Sequence, residues 1–130
     1  MNTKALKIIF GILADFFIYI LGGWDVSIQI FLIFIVLDIA TGLICGYQKQ
    51  NISSEKSREG VTKKMGYIIA IILAVGLDRL SGQQGIFRTM VIYYLVATDG
   101  ISIIENLAIM GIPLPDKIKE SLSNIKNKQV

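Results

Sequence analysis

The chain has 130 residues, 53% of them hydrophobic and 18% charged, with a net charge of +3 and no histidine. Soluble domains carry about 25% charged residues; here the apolar residues also come in long blocks, which places the chain in a membrane. One cysteine and no histidine exclude an internal disulfide, a His/Cys metal site and a His-activated nucleophile, so neither a cofactor nor an enzyme activity is expected.

Residues 5–23, "ALKIIFGILADFFIYILGG", are long enough for one membrane span. Lys4 and Lys7 make a short basic start, but no small-x-small cleavage site follows and Asp15 interrupts the run, so the segment reads as a retained span. "GGWD", residues 22–25, is a turn, with Trp24 suited to the membrane–water interface. A second span runs over residues 26–46 and contains Asp38. Cys45 near its end reads as a small packing residue.

Residues 47–64, "YQKQNISSEKSREGVTKK", read as a polar loop carrying Lys49, Lys56, Arg58, Lys63 and Lys64. A third span, residues 65–80, is short at 16 residues and is followed by the turn "SGQQG". The fourth apolar segment, residues 86–110, carries Thr98, Asp99, Ser102, Glu105 and Asn106 at spacings of three and four, one stripe on a helix. It is either a span that hides its stripe in a bundle or an amphipathic helix on the membrane surface. Gly111 and the prolines of "GIPLP" end it. Residues 1–115 thus form one transmembrane helical domain. Residues 116–130 form a basic tail, a short interfacial helix or a disordered end, with Lys117, Lys119, Lys126 and Lys128.

The expected fold is all-α and polytopic. With four spans and both termini in the cytoplasm, all of the 13 basic residues except Arg79 and Arg88 fall inside, as the positive-inside rule favours. The alternative is three spans plus an interfacial amphipathic helix. The positive charge is assigned to an anionic membrane surface rather than to nucleic acid. Its carriers are Lys49, Lys56, Arg58, Lys63 and Lys64 in the loop and the four tail lysines.

An acid at the centre of a span costs about 2.5–3.5 kcal/mol, so such acids face other helices, a partner or water. Asp38, Thr41, Asp78, Asp99, Ser102, Glu105 and Asn106 are therefore expected to face an oligomer contact or a pore. Gly42 and Gly46, and the stripe Gly66, Ala70 and Ala74, have the small-xxx-small spacing that permits close helix approach. The competing reading is packing within a single-chain bundle.

The stretch from Asp38 to Pro115 resembles the toxin-secretion/phage-lysis holins. The resemblance rests on "LDIATG", "SSEKSREGVTKK", Leu77–Asp78 and "SIIENLAIMGIPLP". Its residues in order are Asp38, Gly42, Ser54, Gly60, Lys63, Lys64, Asp78, Ser102, Glu105, Asn106, Gly111, Pro113 and Pro115. Where the family has Asn-Glu and an apolar residue before the serine, this chain has Thr98, Asp99 and Gly100. The resemblance implies a protein of the bacterial cytoplasmic membrane that oligomerises into lesions. A cell-wall hydrolase, or a toxin, passes through them. The rival is a small ion or proton channel that uses the intramembrane carboxylates as a relay.

Overall fold

A computed structural model describes residues 2–50 and 53–128 as five α-helices: α1 (Thr3–Ile20), α2 (Val26–Gln48), α3 (Ser54–Ser81), α4 (Ile86–Ile109) and α5 (Asp116–Lys128). Many residues of α2 are β-branched, which lowers helix propensity in water. In lipid, a helix satisfies its own backbone, and that requirement dominates. The ends are capped locally. Asp25 accepts the Ile28 amide at the start of α2, and Ser53 accepts the Lys56 amide at the start of α3.

Helices α2, α3 and α4 form the bundle. Helices α2 and α4 run parallel, and α3 runs antiparallel between their ends. Ile28 and Phe31 of α2, Ile71 and Val75 of α3, and Ile92 and Leu95 of α4 make its apolar core. Lipid is as apolar as these side chains, so close packing rather than water exclusion holds them together.

Three helices, α2, α3 and α4, are long and apolar enough to cross a membrane. This differs from the four-span expectation. Helix α1 has 18 residues, three of them charged (Lys4, Lys7 and Asp15). It buries no side chain and leaves Ile8, Phe10, Ile12 and Phe16 uncovered on all sides. It meets α3 at one end, where Arg79 donates to the Tyr19 carbonyl (2.7 Å) and lies over the Tyr19 ring.

One further expectation is corrected. The polar stretch before residue 65 is not all loop. Helix α3 begins at Ser54 and has 28 residues, so the third span is not short. Of the two readings of residues 86–110, the structure has the helix packed within the bundle. Helix α4 has the most buried residues, and two members of its polar stripe, Asp99 and Asn106, find partners on the other helices. The loop and the end of α4 then lie on one side of the bundle, so three spans already satisfy the charge bias.

Helix α5 does not trail away. After the Gly111–Pro115 turn it doubles back along α4. Leu122 packs on Gly100, and the Lys126 ammonium sits 5.7 Å from the Tyr94 ring centroid. Gly100 makes this contact possible. A Cβ there would lie 2.9 Å from Leu122 Cδ1 and 3.3 Å from Phe34 Cε2.

Candidate functional site

Two polar nodes bracket the apolar core. Along α2 the order is Asp25, Ile28, Phe31, Asp38; along α3 it is Asp78, Val75, Ile71, Lys64; along α4 it is Arg88, Ile92, Leu95, Asp99. At 1.5 Å per residue the nodes are about 17–21 Å apart.

The first node is built on Lys64. Its ammonium donates to Asp38 Oδ2 (2.6 Å) and to Asp99 Oδ1 (2.5 Å), and lies 4.9 Å from the Tyr67 ring centroid. Lys64 is 8% exposed and Asp99 1%. One cation thus joins all three helices of the bundle. Among the described residues, Asp99 Oδ2 is buried without a hydrogen-bond partner. With every group ionised, the trio carries one excess negative charge. Burying charges is costly unless they are paired, so the shared Lys64 ammonium rather than hydration offsets the burial of the two carboxylates.

One turn further along α2, Thr41 donates to the Leu37 carbonyl (2.8 Å) and accepts from Asn106 Nδ2 (2.9 Å). The buried Cys45 thiol donates to the Asn106 carbonyl (3.2 Å). These contacts continue the α2–α4 seam beyond the ion pairs.

The second node is built on Arg88. Its guanidinium donates to Asp25 Oδ2 (2.7 Å) and Oδ1 (3.1 Å), to the Leu21 carbonyl (2.6 Å) and to the Gly23 carbonyl (3.2 Å). This two-pronged geometry is the strong form of an ion pair. Gly22 makes room for it, since a Cβ there would fall 2.6 Å from Arg88 Cδ. The Arg88 guanidinium, helped by the Ser27 hydroxyl and the Ile28 amide, holds the Asp25 carboxyl well below the usual carboxylate range, against burial that pushes it up. Asp78 completes the node. Its two oxygens accept the backbone amides of Phe87 and Arg88 (2.9 Å each). Gly85 has no side chain to cap α4, and Asp78 does so from α3.

The structure therefore brings Asp38, Thr41, Asp99 and Asn106 to one seam. Ser102 is half-buried beside it, and Glu105 is exposed. Asp78 departs from the expected pore-facing role: it is 5% exposed and consumed in capping α4. Lys64 departs most. Its place in a basic polar stretch predicts the membrane surface, but two carboxylates draw it inside. Lys49, Lys56, Arg58, Lys63, Lys117, Lys119 and Lys128 are exposed, and Lys126 is half-buried on Tyr94.

The small residues also differ from expectation. A Cβ on Gly42 would find only Asn106 Nδ2, at 3.9 Å, and one on Gly66 would find nothing within 4 Å. Gly42 and Gly46 line a cavity. Ala70 is half-buried and only Ala74 enters the core. Sequence reasoning missed the Lys64 partnership and the Arg88–Asp25 pair. The available signal was the spacing itself: each span holds an acid or a base at similar depth.

Three long apolar helices, tied internally by buried ion pairs, define a polytopic α-helical membrane protein. The chain belongs to the bacteriophage holin family, whose sequence pattern matches residues 15–127. It is 38% identical over 118 residues to an uncharacterized 14.9 kDa protein from the nagH 3′ region of Clostridium perfringens, covering 90% of this chain and 89% of that one. It is 31% identical over 124 residues to an uncharacterized protein of Clostridium acetobutylicum, covering 95% and 99%. A probable holin of Bacillus phage phi105 is 27% identical over 100 residues, covering 77% and 74%. No solved structure matches the chain.

Proposed function

We propose that this protein is a holin of the bacterial cytoplasmic membrane. It accumulates as a closed bundle, then self-associates into lesions that pass a cell-wall hydrolase or a toxin. The observation that carries this reading is the Lys64–Asp38–Asp99 cluster. Its two carboxylates are paired with Lys64 within one chain, so a single copy can sit in lipid with these groups turned inward. The same groups provide a polar lining once the three helices separate.

Helix α5 supports a two-stage behaviour. It carries Asp116, Lys117, Lys119, Glu120, Lys126 and Lys128, and it lies along α4 as far as Tyr94. If α4 spans, the polar face of α5 is at membrane depth in the closed bundle. Lipid disfavours that placement by several kcal/mol per central charge, so α5 leaves α4 or turns its polar face to an aqueous lesion. The oligomer contacts are assigned to the uncovered faces of α1 and α2 and to the exposed Glu105 of α4. The exposed lysines hold the cytoplasmic surface, with the loop between α2 and α3 and the end of α4 inside.

Timed expression in a bacterium tests this. Membrane potential should persist and then collapse abruptly, with release of a folded cytoplasmic enzyme. Persistence of the potential at high expression, with no enzyme outside, would sink the reading. One observation favours a second reading, a small ion or proton channel: the unpartnered Asp99 Oδ2 beside Asp38 is a place for a relayed ion. A fixed, ion-selective conductance without protein release would favour that channel.

A further inference from the structure

Between the end of α2 and the first turns of α3 lies a cavity of about 550 Å³, closed on its third side by Ser102 and Asn106 of α4. This volume lies within the usual range of small-ligand sites, about 300–1,000 Å³. One part of its wall is cationic and polar, with Lys49, Lys56 and Ser57. Another part is apolar, with Ile39, Leu43 and Val61. The side chains of Leu43 and Val61 are about half exposed, at 47% and 50%. Asp38 also lines the cavity, beside its ion-pair partner Lys64. Among the described residues, neither Lys49 nor Lys56 has a carboxylate within 4.0 Å, the other ion pairs being Lys64–Asp99 and Arg88–Asp25. The cavity thus holds two uncompensated cations against an open apolar strip.

We infer that this cavity binds one anionic phospholipid of the leaflet next to the α2–α3 connection. Its phosphate sits between Lys49 and Lys56, and the upper part of an acyl chain lies along Ile39, Leu43 and Val61. The order of these groups along the helices supports this occupant. The lysines lie toward the α2–α3 connection and Ile39 lies toward the bundle centre, matching a headgroup above a tail. Gly42, Gly46 and Gly60 keep the space open, since none of them projects a side chain into it. Basic pockets between membrane helices are established lipid headgroup sites. The site requires α2 and α3 to span, but not that the protein makes lesions, so its failure leaves the holin reading standing.

The test is native mass spectrometry of full-length protein released from vesicles of phosphatidylcholine without phosphatidylglycerol or with about 30% of it, the anionic lipid supplying the negative surface that attracts basic groups. One phosphatidylglycerol should be retained per chain, in preference to phosphatidylcholine. Lys49→Gln with Lys56→Gln should weaken retention about thirty-fold, the effect of two lysines near an anionic surface. Lys4→Gln with Lys7→Gln removes equal charge from α1 and should leave retention unchanged. Leu43→Ser should weaken it without any loss of charge. Circular dichroism of each variant verifies folding, and Lys49→Arg with Lys56→Arg should retain the lipid if the first pair folds poorly. Equal loss from the α1 pair overturns the proposal. So does equal retention of both lipids, or displacement of the bound lipid by millimolar inorganic phosphate.

Discussion

Lys64 Nζ lies 2.5 Å from Asp99 Oδ1, joining residues 35 positions apart in sequence through the interior of the bundle. The same ammonium reaches Asp38 at 2.6 Å. Removing the shared cation leaves two carboxylates buried together. Breaking a buried pair from one side costs about 3–5 kcal/mol. Lys64→Met should lower stability by about that amount in detergent unfolding. Lys64→Met combined with Asp38→Asn and Asp99→Asn should recover most of the loss. Unchanged stability in the single variant would mean the ion pairs do not form.

The Arg88–Asp25 pair makes stability depend on acid pH. The Asp25 carboxyl is held below its ordinary value, so between its folded pKa and its unfolded one, roughly 4, the unfolded chain binds more protons. Its contribution is therefore complete above roughly pH 4. It is lost progressively as the pH falls from there. Asp25 is about half exposed, so the effect is modest. The melting temperature of Asp25→Asn should fall less between pH 5 and pH 3 than that of the unaltered protein. Parallel curves would remove the pair from the stability account.

Asp78 supplies α4 with its N-terminal cap across a turn. Asp78→Ala should cost about 1–2 kcal/mol, the upper part of the capping range, because it strands two amides. Asp78→Asn keeps an acceptor and should cost less. Chemical denaturation of the two variants measures the difference, and equal losses would show that the cap is not the source.

Gly100 is the notch that receives Leu122. Gly100→Leu fills it, and Leu122→Asp removes the apolar contact. Either change should free α5 and speed trypsin cleavage after Lys126, which in the docked helix lies over Tyr94. If α5 closes the bundle, both variants should also trigger lysis earlier. Faster cleavage without earlier lysis would separate docking from timing.

Topology has its own test. A cysteine at Gln83, in a Cys45→Ser background, should react with an impermeant maleimide from outside the cell, and one at Lys56 from inside only. A cysteine at Lys4 decides whether α1 crosses the bilayer. Labelling of Gln83 from inside only would invert the arrangement.

Much of the fold was legible because apolar runs report the helices that lipid requires. The breaks at "GGWD", "SGQQG" and "GIPLP" locate turns close to those observed, since glycine and proline act locally. Helix α3 was under-read at its start. Residues 54–64 are polar, yet capping by Ser53 and continuation of the helix hold them in place. The site was legible only in part. The spacing put Asp99 and Asn106 on one face of α4 but left open what that face meets; both find partners in the bundle, while Glu105 of the same stripe is exposed.

The sequence by itself determined that this is a helical membrane protein with carboxylates at depth, because insertion energy depends on composition along one segment at a time. Only the tertiary structure decided what those carboxylates meet. Asp38 and Asp99 share Lys64, Asp78 caps α4, and Asp25 holds Arg88. Each pairing joins different helices, and the energy of a charge in lipid depends on its partner's position to within a few ångströms. No pattern along one helix encodes that distance. It arises when α2, α3 and α4 pack, and it turns an apparent surface lysine into the centre of the bundle.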